Sequence, residues 1–173
     1  MNTHNLQTKT YKRLAVAFSG PSNSGKTTLV VKVANILQDR GFKVAIVKHD
    51  PKDKARFDRE GKDSDKFSQT GADVAVVSPQ RTTLFKQSSS SLDEIIELFT
   101  AFDYLLVEGL KTLPLPRISV FRNSLDEAYF DVTNAIACDE SIDTTTIPKT
   151  IEILDLNIPE EVILWIDNNA KRV

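Results

Sequence analysis

Residues 20–27 have the types and the spacing of a loop that binds phosphate. They read Gly-Pro-Ser-Asn-Ser-Gly-Lys-Thr, a full match to the pattern Gly-x-x-x-x-Gly-Lys-[Ser/Thr]. In such a loop backbone N–H groups surround the phosphates, the lysine places a charge near the β- and γ-phosphates, and the hydroxyl after it can ligate Mg²⁺. The pattern therefore predicts binding of a nucleoside triphosphate, with Lys26 as a catalytic candidate and Thr27 as a metal ligand. The residues assigned to the site are Gly20, Pro21, Ser22, Asn23, Ser24, Gly25, Lys26, Thr27 and Thr28.

A loop of this kind needs a buried strand before it and a helix after it, and the sequence predicts both. Residues 14–18 form a short apolar run that suits a buried parallel strand. From Leu29 to Leu37 apolar residues recur at helical spacing, and Gly41 stands where a left-handed C-terminal cap is needed.

Strand and helix patterns alternate along the rest of the chain. This alternation predicts an α/β fold, the three-layer sandwich of P-loop NTPases, with a mostly parallel sheet and helices on both faces. With 173 residues and 40% hydrophobic composition, we expect a flexible tail over 1–10 and one nucleotide-binding domain over 11–173. The predicted strands are 14–18, 43–48, 74–78, 105–108, 118–121 and 135–138.

Two further carboxylates follow predicted strands. Glu108 ends the apolar run that begins after Asp103, where an acid can hold Mg²⁺ or its water shell; alone, an acid at a strand end is ordinary. Asp50 follows the second strand and is a catalytic candidate that positions water, or Mg²⁺ through water. The alternative for Asp50 is a residue that caps its own loop.

Composition excludes several classes of protein. The net charge of −2 disfavours nucleic acid as a partner, and no apolar run approaches the about 20 residues that span a bilayer. Cys138 is the only cysteine, which excludes an intrachain disulfide, and its apolar setting predicts a buried structural thiol. We expect a cytoplasmic protein without a membrane partner.

Three other segments have recognisable local patterns. Residues 48–66 are densely charged and predict a mobile loop, followed by a short helix over 61–71 with Phe67 as its packing anchor. The sequence Ser-Leu-Asp-Glu at 91–94 predicts a capping box that starts a helix. Pro159 suits the first turn of a last helix, whose Trp165 we expect in the core.

Together, several of these segments resemble the MobB family. They are residues 20–28, the Val-Lys-His-Asp of 47–50 with the Gly-Lys-Asp-Ser of 61–64, and the Leu-Val-Glu-Gly-Leu-Lys of 106–111 with the stretch 116–122. The resemblance covers roughly residues 13–140. Its most specific parts are the Gly-Lys-Asp-Ser and Val-Glu-Gly-x-Lys boxes.

The resemblance implies a function for the loop. Members of this family are GTP-binding accessory proteins of molybdopterin guanine dinucleotide biosynthesis, partners of MobA, which joins GMP to molybdopterin. It thus implies GTP and Mg²⁺ as cofactors, weak or assisted GTP hydrolysis, contact with MobA and molybdopterin, and a homodimer. The family is similar in turn to the dethiobiotin synthetase and nitrogenase iron-protein branch, in which a Glu at the position of Glu108 contacts Mg²⁺. The early loop lysine of several members of that branch is absent here.

Some alternatives stay open at this point. Asn123 and Asp126 have the spacing of a guanine-reading motif, but Ser124 replaces its lysine, so a surface turn or a base site near Asp139 competes with it. The rival function is an ATP-dependent small-molecule kinase or ligase similar to dethiobiotin synthetase. A basic set of three residues could bind an anionic cofactor such as molybdopterin or be plain surface charge: Lys111, Arg117 and Arg122.

Overall fold

The computed structural model describes residues 10–173, and contacts within the chain divide it into two compact units. One unit comprises the described residues up to His49 together with Phe99–Val173, and the other comprises Asp50–Leu98. The single domain over 11–173 stays a prediction. Of the flexible tail predicted for residues 1–10, residues 1–9 lie outside the described part of the chain.

The first unit is built on a seven-stranded sheet. Its strands are Leu14–Ser19 (β1), Val44–Lys48 (β2), Tyr104–Glu108 (β5), Arg117–Phe121 (β6), Ala135–Cys138 (β7), Glu152–Asp155 (β8) and Lys171–Arg172 (β9). Their order is β2-β5-β1-β6-β7-β8, all neighbours in this path are parallel, and β9 pairs antiparallel with the start of β1. Two α-helices belong to this unit, Lys26–Asp39 (α1) and Pro159–Asn169 (α4), with 3₁₀ helices at Glu127–Val132 and Thr144–Thr146.

The two faces of this sheet are covered differently. On one face, side chains from the central strands pack against the apolar sides of α1 and α4. Trp165 lies in this core, 4% exposed, as predicted. On the other face, Phe121 and Cys138 pack with Tyr129 of the first 3₁₀ helix, whose ring lies 5.5 Å from that of Phe121. Cys138 is buried, as predicted, and burial raises the pKa of its thiol.

The second unit contains a two-stranded antiparallel sheet of Val74–Val77 (β3) and Thr82–Phe85 (β4) and two helices, Asp63–Ser68 (α2) and Leu92–Leu98 (α3). The prediction that 74–78 belongs to the parallel sheet was wrong. A tight turn, in which the amide of Ser78 donates to the carbonyl of Arg81 over 2.9 Å, returns the chain at once, so β3 pairs with its neighbour in sequence. The capping box before α3 is confirmed, because the amide of Glu94 donates to Ser91 Oγ over 3.2 Å and the amide of Ser91 donates to Glu94 Oε2 over 2.9 Å.

Parallel strands place their carboxyl ends along the same side of the sheet, and the candidate site lies at these strand ends. The residues that follow β1, β5, β6 and β7 lie there, because the registers align Phe18 with Glu108 and Phe121 with Cys138. In the described part of the chain, no helix is both long and apolar enough to cross a membrane.

Candidate functional site

The loop after β1 depends on glycine at its first position. Gly20 has φ +133°, and a β-carbon built on it would lie 2.3 Å from the backbone oxygen of Val120 on β6. That distance is too short for any side chain, so the close approach of β1 to β6 requires glycine here. Gly25, with φ +95°, is the N-cap residue of α1.

The N-terminus of α1 is left open for an anion. No side chain caps it by a hydrogen bond, and its first turn holds no acidic residue. Helix N-termini carry unsatisfied N–H groups and a partial positive charge, and these favour phosphate. A cavity of about 330 Å³ lies in front of them, lined by Asn23, Gly25, Lys26, Thr27, Thr28 and Arg122. These residues therefore fit the phosphates of a nucleotide.

The side chain of Lys26 reaches back over residues 21–25 of the loop. Its Nζ donates a hydrogen bond of 2.7 Å to the backbone oxygen of Pro21. Burial lowers the pKa of Lys26, and the nearby Glu108 carboxylate partly opposes this effect. Lys26 therefore lines the cavity, and its ammonium group makes one hydrogen bond to the backbone that a phosphate oxygen can replace.

Thr27 and Glu108 meet at the edge of the sheet. The Thr27 hydroxyl lies 3.3 Å from Glu108 Oε2 and 3.4 Å from Oε1, and Lys48 Nζ lies 3.4 Å from Oε1. The strand registers cause this, because Glu108 is aligned with Phe18 on one side and with Lys48 on the other. Mg²⁺ in nucleotide sites takes one or two protein oxygens and completes its octahedron with phosphate and water. The Thr27 and Glu108 oxygens fit such an ion.

Glu108→Gln is expected to reduce the gain in nucleotide affinity that Mg²⁺ brings by about 10-fold, because an amide oxygen lacks the carboxylate's charge. Calorimetric titration with GTP in Mg²⁺ and in EDTA measures this gain. Glu160→Gln, which removes an exposed carboxylate from α4, is the matched control. An unchanged gain in Glu108→Gln would make Glu108 a structural strand-end acid.

Glycine is required again directly after Glu108. Gly109 has φ +94°, and a β-carbon there would lie 3.0 Å from the β-carbon of His49. The amide of His49 donates to the Glu108 carbonyl over 3.0 Å, and the amide of Gly109 donates to the Phe18 carbonyl over 2.9 Å. The Val-Glu-Gly box is thus the point at which three strand ends meet.

Asp50 belongs to the second unit, where its carboxylate is engaged by its own loop. It accepts hydrogen bonds of 2.6 Å from each of the amides of Lys54 and Ala55 and one of 3.3 Å from the amide of Lys52. This is the geometry of the loop-capping alternative. A catalytic role for Asp50 stays a prediction.

The basic set predicted over 111–122 divides into three separate environments. Arg117 is 1% exposed, so its assignment to a surface set was wrong: the residue starts β6 and points into the protein. The Lys111 ammonium lies 3.5 Å from the centroid of the Tyr129 ring. Arg122 pairs with Asp139 over 2.8 Å and lines the phosphate cavity. The sequence identified Arg122 as a cation but did not indicate that it lies beside the phosphate loop.

The Arg117 guanidinium is satisfied by hydroxyl and carbonyl oxygens. It donates to Ser19 Oγ over 2.7 Å and to the backbone oxygens of Gly109, Leu110 and Leu113 over 3.0–3.3 Å. Burial lowers its pKa. Arg117 therefore ties the end of β1 to the segment that follows Glu108.

The Asn123 to Asp126 segment is a turn. Asn123 has φ +66°, and Arg122 and Ser124 form an isolated bridge across it. Asp126 caps the first 3₁₀ helix by accepting from the amide of Ala128 over 3.1 Å. This geometry is that of the surface-turn alternative.

Known proteins match this chain in sequence. The model of the family described as "Molybdopterin guanine dinucleotide synthesis protein B" (MobB) matches residues 15–140. The molybdopterin-guanine dinucleotide biosynthesis adapter protein of Haemophilus influenzae is 28% identical over 158 residues, which are 88% of this chain and 87% of that protein.

Solved structures share the fold. The crystal structure of Bacillus subtilis MobB is 26% identical, with a TM-score of 0.72 over 90% of this chain and 98% of that one. The hydrogenase maturation factor HypB from Archaeoglobus fulgidus, 17% identical with a TM-score of 0.50 over 90% of this chain and 87% of that one, shares the fold alone. The predicted α/β fold of P-loop NTPases is confirmed. The family model matches well over half of the residues of this chain, and the chain therefore belongs to the MobB family.

Proposed function

We propose that this protein is a GTP-binding adaptor that assists the guanylation of molybdopterin in molybdopterin guanine dinucleotide biosynthesis, with weak or partner-assisted GTPase activity. The observation that carries the proposal is the uncapped N-terminus of α1, with Lys26 in its cavity and the Thr27 hydroxyl 3.3 Å from the Glu108 carboxylate. The name of the Haemophilus influenzae relative supports the adaptor role. MobA, with molybdopterin, is the proposed partner.

The residues of the loop divide the work of holding the nucleotide. Backbone amides at the start of α1 bind phosphate oxygens, and Lys26 exchanges its contact with the Pro21 carbonyl for one with the β- and γ-phosphates. Mg²⁺, when bound, neutralises charge on these phosphates. The Thr27 hydroxyl and the Glu108 carboxylate would hold the ion from the protein side. Such positioning would support GTP hydrolysis, because positioning and charge stabilisation are the main contributions to phosphoryl transfer.

Calorimetric titration with GTP and with ATP, each with Mg²⁺, tests the proposal. Tighter binding of GTP than of ATP is expected, together with retention of MobA in a pull-down with the GTP-loaded protein. A preference for ATP would replace the adaptor proposal by the kinase or ligase alternative. Failure to bind either nucleotide would overturn both.

The homodimer belongs to this proposal, and the surface of the second unit supports it. Within residues 50–98, Ile96 is the only hydrophobic side chain that is buried. By contrast, Val77 is 75% exposed, Phe57 84% and Phe67 59%. The prediction that Phe67 anchors its helix in this chain was therefore wrong. A two-stranded sheet with so little core is marginal by itself, and its unpaired strand edges are templates for further strands. A second copy of the same hairpin would cover both the apolar residues and the edges.

Val77→Asp is expected to weaken self-association at least about 10-fold, because it places a charge in the proposed contact of β3 with the second copy. Sedimentation velocity over a concentration series measures the dimer. Val31→Asp, the same change at a valine that is 48% exposed on α1, is the control. A wild-type chain that stays monomeric at all concentrations would exclude the dimer.

A further inference from the structure

Arg122 lies beside the phosphate loop although it comes from a different strand. It follows β6 directly, and it lines the same cavity as Lys26, Thr27 and Thr28. The Arg122 side chain is 42% exposed, so it is accessible from solvent. Its place in the fold thus puts a cation at an anion-binding cavity.

Asp139 holds Arg122 in this place. The register aligns Phe121 with Cys138, so that the next residue of each strand, Arg122 and Asp139, lie side by side. Arg122 Nε donates to Asp139 Oδ2 over 2.8 Å. The other oxygen, Oδ1, accepts from the amide of Ser141 over 3.2 Å and from its hydroxyl over 2.5 Å. The carboxylate is therefore fixed on both sides, which limits the positions open to the guanidinium.

The ends of the guanidinium remain available. Within residues 10–173, the side chain of Arg122 donates its Nε–H to Asp139, and neither Nη1 nor Nη2 has a hydrogen-bond acceptor in the protein. Arginine presents these N–H groups in a planar fork that matches two oxygens of a phosphate. A group held by Nε with both ends free is pre-organised for such a contact.

The sheet order indicates which phosphate Arg122 meets. β1 lies between β5, which carries Glu108, and β6, which leads to Arg122. Thr27 and Glu108 mark the side of Mg²⁺ and of the β- and γ-phosphates. Arg122 is on the opposite side of the loop. With the β- and γ-phosphates on the Glu108 side, the α-phosphate and the nucleoside of a bound nucleotide would extend toward Arg122. We propose that Arg122 is a further nucleotide-binding residue whose Nη groups contact the α-phosphate and that Asp139 is the residue that positions it.

Arg122→Gln is the variant that tests this assignment, which rests on the proposed binding of a nucleotide in this loop. Calorimetric titration with GTP and with GDP, both with Mg²⁺, is expected to show affinities about 10- to 100-fold weaker than in the unmodified protein. The two factors should agree, because both nucleotides carry the α-phosphate. Arg122→Lys keeps the charge without the planar fork, and its affinity for each nucleotide should lie between those of the unmodified protein and Arg122→Gln. Arg172→Gln is the matched control. It removes an arginine of β9 that is aligned with Leu14 at the amino end of β1, away from the loop.

The outcomes separate this inference from the proposed function. If the unmodified protein binds and Arg122→Gln binds GTP within twofold of it, Arg122 is not a nucleotide-binding residue, while the proposed function stands. A loss for GTP without a loss for GDP would place the contact at the γ-phosphate and overturn the assignment to the α-phosphate. Absence of GTP binding by the unmodified protein refutes the proposed function itself. Thermal unfolding without nucleotide verifies that Arg122→Gln is folded.

Discussion

Lys26→Ala is expected to weaken the binding of GTP with Mg²⁺ at least about 100-fold, which corresponds to about 3 kcal/mol or more. The lysine is the one loop side chain that brings a full positive charge to the β- and γ-phosphates, and hydrogen bonds between charged groups contribute about 1.5–3 kcal/mol each. Isothermal titration calorimetry measures the loss. Retained tight binding in Lys26→Ala would remove the phosphate-loop interpretation and everything that depends on it.

The structure also predicts that this variant folds normally. The Lys26 ammonium donates a hydrogen bond to the Pro21 carbonyl, and water can replace this donor when the ammonium is removed. Thermal unfolding without nucleotide should therefore change little. Lys32→Ala, on the exposed side of the same helix, is the matched control and should leave both binding and unfolding unchanged.

Arg117→Ala is expected to lower the free energy of unfolding by about 2–4 kcal/mol. Removal of the guanidinium leaves Ser19 Oγ and the Gly109 carbonyl without their Arg117 donor, and each unsatisfied buried polar group costs about 1–3 kcal/mol. The carbonyls of Leu110 and Leu113 also lose a bond to Arg117, but they keep backbone donors in the amides of Leu113 and Leu115. The variant also no longer buries a positive charge that has no carboxylate partner, and this gain offsets part of the cost. Urea denaturation monitored by the fluorescence of Trp165 measures the change.

A second variant at the same position separates hydrogen bonding from volume. Arg117→Met fills most of the space but donates nothing, and we expect it to be destabilised nearly as much as Arg117→Ala. If Arg117→Met were as stable as the unmodified chain, the four hydrogen bonds would have no net value. Either variant should also reduce the gain in nucleotide affinity that Mg²⁺ brings, because Arg117 holds the segment after Glu108 against the end of β1.

Local patterns predicted the elements of the first unit well, for a physical reason. β1, β5, β6 and β7 are rich in apolar residues and buried on both faces, although β6 also holds Arg117 and Ser119, so their sequences differ clearly from the surrounding turns. β8 was missed because it lies at the edge of the sheet, where Ile153 is 49% exposed and the strand needs few apolar residues. β9 was missed because its pairing with β1 joins residues at opposite ends of the chain.

The candidate site shows the same division. The sequence by itself determined the phosphate loop, its strand and helix, and the acid at the end of β5, because these are short segments whose composition encodes their own conformation. Only the tertiary structure decided that Arg117 is buried and that Arg122 lies at the phosphate cavity. Their positions follow from strand order and register, and these are set by contacts among residues far apart in the chain, which no local pattern encodes.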